Sequence, residues 1–240
     1  MSSNKWLSAK IRNGDYTHAG EEAAIDLVMQ NIHKSTTTKI LDVGCGLGGT
    51  AKYIQDQGFG QVTGIDFDPK MIDYAKLTYP DINFLTCDVV KCDSLFQKEQ
   101  FDLIYHFNSF HAFGDQIKAL NKLNSLCVSS GQLIIFDYLA LENYISEKPF
   151  GNNKVFDPLR SKDILQMLDQ TNWQLIQFVD LTKEYIKWYQ DVLAKLKAQQ
   201  TQLINEFDLA SFKQIENIFV NLLNLFTENK LGGCVIYAQK

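Results

Sequence analysis

A run of glycines followed at intervals by single acids carries most of the chemistry this chain can do. Residues 40–50 read ILDVGCGLGGT, an apolar stretch running into Gly44, Gly46 and Gly48, and Asp66 lies about twenty residues further on. Glycines at the carboxyl end of a first parallel strand let backbone N–H groups approach a ligand closely. An acid closing the second strand offers two oxygens to a ribose diol. A second acid, Asp88, closes the segment FLTCD and can accept from an adenine amino group. The set suits an adenosine-containing cofactor, and the glycine spacing alone also fits a dinucleotide.

A second group of residues could act on an acceptor. The segment FDLIYHFNSFHAF at 101–113 leaves its strand in polar and aromatic residues. His111 follows that strand at the cleft, where an imidazole can exchange a proton near neutral pH, and it is the best general-base candidate. Its other reading is a helix-start or packing histidine. His106, inside the strand end, is expected to line the cofactor. His18 and His33 fall in an expected N-terminal helix and carry no further signal. Tyr138, closing the fifth strand, points to the same cleft and is expected to bind substrate.

These groups need a scaffold that brings strand ends together, and the pattern between residues 39 and 138 supplies one. Short apolar strands are expected at 39–43, 61–66, 83–86, 101–107 and 132–137, alternating with helices at 49–57, 69–78 and 115–128. Asp68 as N-cap with Pro69 at the first helical position is a strong start signal. Gly131 is expected to end the helix before the fifth strand. Alternation of this kind implies right-handed crossovers and a parallel sheet covered on both faces.

Outside that core the pattern changes. A helix is expected from about 17 to 33, behind a Gly14-Asp15-Tyr16 turn. After Tyr138 comes a loop with Pro149, Gly151 and Pro158, then a helix capped by Ser161 and running to Gln170. Strands are expected at 172–181 and 233–239, able to pair as an antiparallel hairpin. Between them lie about fifty residues of helical pattern. One stripe holds Tyr185, Trp188, Tyr189, Val192 and Leu196; another holds Ile215, Ile218, Phe219, Leu222 and Phe226. The aromatic members could offer faces to an ammonium group, or could simply pack on the domain.

The motifs LDVGCGLGG, GIDFDP, LTCDV and FDLIY, in that order and spacing, resemble those of the class I S-adenosylmethionine-dependent methyltransferases. The resemblance covers roughly residues 38–140 and the final strand. It implies an α/β, Rossmann-like fold with a seven-stranded, mostly parallel sheet of order 3-2-1-4-5-7-6 and a helical cap inserted between strands 6 and 7. On that reading the chain is a single domain: an N-terminal lid over 1–37, the cofactor core over 38–140 and the cap over 183–230. The cofactor implied is S-adenosyl-L-methionine, leaving as S-adenosyl-L-homocysteine. Gly44, Gly46 and neighbouring backbone would hold its methionine portion, Asp42 and Cys45 would also bind the cofactor, and Asp66 would take its ribose hydroxyls. Phe67 would line the adenine, and Asp88 with Val89 would read the adenine edge.

Within that family the organisation looks like the small-amine N-methyltransferases, nearest the phosphoethanolamine and sarcosine/dimethylglycine enzymes. The shared features are Asp15-Tyr16-Thr17 before the first strand, FDYLA after the fifth, and the run from Asp180 to Tyr189. The phosphobase branch pairs an N-terminal tyrosine with a histidine after strand 4. Tyr16 matches the first and His111 stands beside the second, one residue from register. The branch also has an arginine and an aspartate where this chain has Phe107 and Asn108. Without that guanidinium fork a phosphorylated acceptor is disfavoured. Asn108, Tyr138, Trp188 and Tyr189 are the expected substrate contacts.

Totals narrow the field further. At 240 residues and 45% hydrophobic, the chain can bury a full core, and its net charge of −5 argues against nucleic acid as a partner. The motif block Asn/Asp/Ser-Pro-Pro-aromatic, expected after strand 4 for nucleic-acid amino methylation, is absent; residues 108–111 read NSFH. No apolar run approaches the ~20 residues that span a bilayer, and the first thirty residues lack an apolar leader block, so the cytoplasm is expected. The five cysteines form no CxxC pair and read as buried thiols, with no metal expected. A small-molecule acceptor follows, with amine nitrogen ahead of hydroxyl. An O-methyltransferase, a noncatalytic cofactor-binding subunit and a dinucleotide oxidoreductase are the alternatives.

Overall fold

The computed structural model describes residues 4–151 and 154–240. Among the described residues eight strands form one sheet: β1 (Lys39–Val43), β2 (Gln61–Asp66), β3 (Asn83–Thr86), β4 (Phe101–Phe107), β5 (Cys127–Ala140), β6 (Leu159–Arg160), β7 (Gln174–Asp180) and β8 (Leu231–Gln239). Their order is β3-β2-β1-β4-β5-β8-β7, with the two-residue β6 beside β5. β1 to β5 run parallel, and β8 enters antiparallel between β5 and β7. The order is the expected one, with β6 as an added short strand.

Alternation along these strands splits the core in two. On one face Ile40, Leu103, Tyr105, Ile134, Phe136 and Val235 meet the N-terminal helices α1 (Asn4–Ile11) and α2 (Glu21–Met29) together with α3 (Gly49–Asp56). The insertion before β8 covers the same face with α7 (Thr182–Ala198), α8 (Gln200–Glu206) and α9 (Leu209–Thr227). On the other face Leu41, Val43, Ile104, Leu133 and Ile135 meet α5 (Gln116–Leu126) and α6 (Ser161–Asp169). The helix α4 (Pro69–Thr78) joins β2 to β3, and Asp68 caps it by accepting from the Lys70 N–H. Adjacent residues along each strand therefore serve opposite layers, and residues at i, i+2 share one.

Four local expectations give way. The helix expected at 17–33 begins only at Glu21, because Gly20 takes φ +79 and interrupts helical geometry. A separate helix, α1, precedes it. Gly131 does not end a helix: α5 stops at Leu126, and Gly131 sits inside β5. There the strand advances five residues, Cys127 to Gln132, against two on β4, and Ser130 adopts φ +64 in the resulting bulge. Ser161 is the first residue of α6; Arg160 occupies the N-cap without a side-chain bond, and the helix ends at Asp169.

Candidate functional site

The site begins at the turn after β1. The Gly44 and Cys45 N–H groups both donate to the Ile65 carbonyl, at 2.8 and 3.0 Å, which folds the turn onto β2. Gly44 and Gly46 take φ +78 and +55, conformations that favour glycine. A Cβ on Gly44 would lie 2.5 Å from the Ser109 Cβ, so the turn and the loop after β4 are in direct contact. Ser109 Oγ donates to the Val43 carbonyl at 2.7 Å and fixes that contact.

Three carboxylates stand at the strand ends. Asp66 is buried, accepting from the Gly46 N–H at 3.0 Å and the Asp68 N–H at 2.9 Å, one on each oxygen. A carboxylate has about four acceptor positions, so capacity for two hydroxyl donors remains. Asp42 is buried and its Oδ2 has no hydrogen-bond partner among the described residues. Burial pushes its pKa up to about 8; the Tyr105 hydroxyl opposes the shift and the Asp66 charge adds to it. A buried oxygen of this kind calls for a donor or cation from a ligand. Asp88 caps the 3-10 turn Val89–Ser94 through the Val90 N–H and pairs with Lys91 at 3.3 Å. Phe67 is 70% exposed directly after β2, while Val89 is buried. This glycine cradle, the unpartnered Asp42 oxygen and the spare acceptors of Asp66 fit an adenosyl ligand with an ammonium group.

The loop after β4 holds Asn108 and His111, two of the residues expected to act on an acceptor. Asn108 takes φ +48 and is pinned on three sides: its N–H donates to the Phe136 carbonyl, its Oδ1 accepts from the Ala19 N–H, and its Nδ2 donates to Tyr185 Oη. It thus ties the sheet to the N-terminal segment and to the cap. His111 is buried with Nδ1 2.7 Å from Asp137 Oδ1, and its backbone N–H donates to Asp137 Oδ2 at 3.1 Å. Tyr138, Phe150 and Phe156 surround the imidazole at 4.9–5.7 Å between ring centres. Phe156 also lines an open cavity of about 500 Å³ with Tyr144, Lys148, Lys154 and Arg160. Burial alone would raise Asp137, but the His111 ring and the N–H groups of His111 and Tyr138 hold it below the usual carboxylate range.

The expected pairing of Tyr16 with His111 does not form. Tyr16 is buried and its hydroxyl donates to Glu22 Oε1 at 3.2 Å, while His111 Nδ1 is engaged by Asp137. His106 is fully buried, 5.5 and 5.3 Å from the rings of Phe110 and Phe113, and burial lowers its pKa to about 4. Tyr138 and Tyr189 share a 2.6 Å bond between hydroxyls, both buried beside Phe226. Trp188 is half-buried against Phe136 and lies where a Cβ on Gly20 would fall. The faces of Tyr185 are taken by Phe136, Trp188 and Phe226, so this stripe packs on the domain. The arginine position of the phosphobase pattern is filled by the buried Phe107, 4.9 Å from the His18 ring.

Sequence reading expected an N-terminal lid but missed the contacts that tie that segment down, and it missed the partner of His111. Asp15 accepts from Tyr74 and Tyr79, the shorter bond 2.6 Å, and Thr17 stands over Gly46. His18 bonds Thr50 Oγ1 through Nε2 at 3.0 Å and the Ala19 carbonyl through Nδ1, and burial lowers its pKa to about 3. Glu21 receives Arg12 at 3.4 Å and Lys195 at 2.7 Å, joining the strap to α7. Asp137 could have been found as a carboxylate inside the apolar run LIIFDYLA. Among the described residues no group of three His, Cys, Asp or Glu is placed to hold a metal. No described helix is long and apolar enough to cross a membrane.

Comparison with known proteins agrees with this geometry. Residues 40–131 match a family described as a methyltransferase domain. Phosphoethanolamine N-methyltransferase 1 of Zea mays is 22% identical over 212 residues, spanning 87% of this chain and 42% of its own length. The phosphoethanolamine N-methyltransferase of Plasmodium falciparum is 26% identical over 178 residues, spanning 70% of this chain and 65% of that protein. A solved Haemonchus contortus phosphoethanolamine N-methyltransferase 2, with phosphomonomethylethanolamine and S-adenosylhomocysteine bound, superposes with TM-score 0.90 at 15% identity, over 100% of this chain and 58% of that one. The chain thus spans less than two thirds of each relative. Its fold is the class I, Rossmann-like methyltransferase fold.

Proposed function

We propose that this chain moves a methyl group from S-adenosyl-L-methionine to a small-molecule acceptor, with amine nitrogen preferred to hydroxyl oxygen. The observation that carries the reading is the meeting of the Gly44–Gly46 turn, the ends of β1 to β3 and the His111–Asp137 pair at one sheet edge. Asp66 would take the ribose hydroxyls, the unpartnered Asp42 oxygen would face the methionine end, and Asp88 with Val89 would take the adenine. The sulfonium makes the methyl carbon electrophilic. The chain's own tasks are to align the acceptor, exclude water and accept a proton. His111 is assigned the last of these.

The N-terminal strap and α7 to α9 serve as the cover. Asn108, Tyr138, Trp188 and Tyr189 border the acceptor, and the cavity sharing Phe156 supplies its approach. Two relatives are named for phosphoethanolamine, which supports nitrogen as the acceptor atom. Phe107 in place of a phosphate-binding arginine favours an acceptor without a phosphate. The test is incubation with methyl-labelled cofactor and a panel comprising N-methylethanolamine, sarcosine, p-hydroxybenzoate and phosphoethanolamine. Mass spectrometry should find label on an unphosphorylated amine. Label on phosphoethanolamine alone would overturn the acceptor assignment, and label on none, with S-adenosylhomocysteine not formed, would overturn the activity.

A further inference from the structure

The contacts around Asp137 are unusual for a strand residue. It lies in β5 with no exposed surface, and three donors converge on its two oxygens. Oδ1 receives the His111 ring at 2.7 Å and the Tyr138 N–H at 2.7 Å; Oδ2 receives the His111 backbone N–H at 3.1 Å. Backbone N–H groups can only donate, and an ionised carboxylate can only accept. The short contact at the ring therefore requires a proton on Nδ1. Nε2 is then the one ring nitrogen able to take a proton, and Tyr138, Phe150 and Phe156 fix the plane of the ring.

We propose that Asp137 is a positioning residue, which sets the tautomer and orientation of His111 so that Nε2 faces the acceptor as the proton-accepting atom. The proposal rests on the methyl-transfer reading above. In the step it serves, the acceptor lone pair bonds to the methyl carbon, the C–S bond breaks, and its electron pair returns to sulfur. The proton of the acceptor N–H or O–H goes to Nε2, leaving imidazolium beside the Asp137 carboxylate. An acid hydrogen-bonded to the far nitrogen of a catalytic imidazole supplies the same orientation in serine proteases, where the asparagine variant loses about 10⁴ in kcat. This chain reaches the arrangement with residues 26 apart in sequence, His111 in the turn after β4 and Asp137 on the neighbouring parallel strand β5.

The tautomer can be measured without an acceptor. Long-range ¹H–¹⁵N correlation of the ¹⁵N-labelled full chain, with His111 assigned by its loss in His111→Gln, should show the neutral ring protonated at Nδ1. A ring protonated at Nε2 overturns the proposal. A double-mutant cycle on turnover, with N-methylethanolamine or whichever panel compound accepts label, gives the second reading. Asp137→Asn should lower kcat by about 10²-fold or more in the native background and change it less than threefold in His111→Gln, with KM for cofactor held within threefold. An equal loss in both backgrounds marks Asp137 as structural and overturns the proposal. If Asp137→Asn does not fold, the tautomer of the native chain decides alone. Absence of transfer to any panel compound would count against the methyl-transfer reading and leave the tautomer result standing by itself.

Discussion

At the residue scale, Asp66 has two tasks: it holds the glycine turn through the Gly46 N–H and the next helix through the Asp68 N–H. Asp66→Asn keeps one acceptor and loses the charge, so cofactor affinity should fall about 10- to 100-fold, following the ~1.5–3 kcal/mol of a hydrogen bond to a charged group. Equilibrium dialysis with labelled cofactor reads this, and unchanged affinity would remove Asp66 from the ribose. His111→Gln should lower turnover by about 10²- to 10⁴-fold while leaving cofactor affinity within threefold. The acids at the strand ends were legible because each closes an apolar strand followed by a turn residue. Asp137 stood out as an acid inside an apolar run, but its pairing with His111 did not. A contact across 26 residues depends on the register of β4 against β5, and no local pattern records that register.

At the scale of elements, the glycine turn and the loop after β4 form a single interlocked piece. Gly44→Ala meets both the φ +78 backbone and the Ser109 side chain. The backbone alone should cost about 1–2 kcal/mol, and the displaced turn should abolish cofactor binding, which thermal melts with and without cofactor will show as a lowered Tm and a lost ligand shift. The strap and the cap meet at Glu21, between the buried Arg12 and Lys195. Glu21→Ala strands that guanidinium, for about 2–3 kcal/mol, less than a fully buried pair because Glu21 is partly exposed. Hydrogen exchange should then quicken in α2 and α7 before the sheet; uniform quickening would mean the strap is no separate unit. β1 to β4 match their expected limits because each is a short run with apolar residues at its centre, set between turns. β5 outran its expected start because the polar stretch at 128–131 is a bulge inside the strand rather than a helix end. The helix α1 escaped notice because its buried Leu7 and Ile11 pack against the distant cap and strap, so tertiary contact rather than local periodicity stabilises it.

For the whole molecule, three buried titratable groups shape the dependence of stability on pH. Burial lowers His18 to about 3 and His106 to about 4, from an ordinary 6.5. As pH falls through 6.5 the unfolded chain binds protons there that the folded chain refuses, so stability is lost on the acid side. Burial raises Asp42 from 3.8 to about 8, so the folded chain keeps a proton that the unfolded chain releases. Stability from that group falls as pH rises from 3.8 to 8. Below pH 6.5 two histidines outweigh one aspartate, and above it the aspartate acts alone. Urea midpoints should therefore peak near pH 6.5, and Asp42→Asn should flatten the alkaline limb; a steady rise to pH 8 in both proteins would contradict this. The same Asp42 oxygen waits for a cationic partner in the account of the site, which makes ligand choice the decisive matter. Calorimetric titration of the full chain with S-adenosyl-L-methionine, S-adenosyl-L-homocysteine and NAD⁺ tests it most directly. The account predicts one site per chain for each sulfur compound and no heat from NAD⁺. Binding of NAD⁺ with no response to either sulfur compound would contradict it.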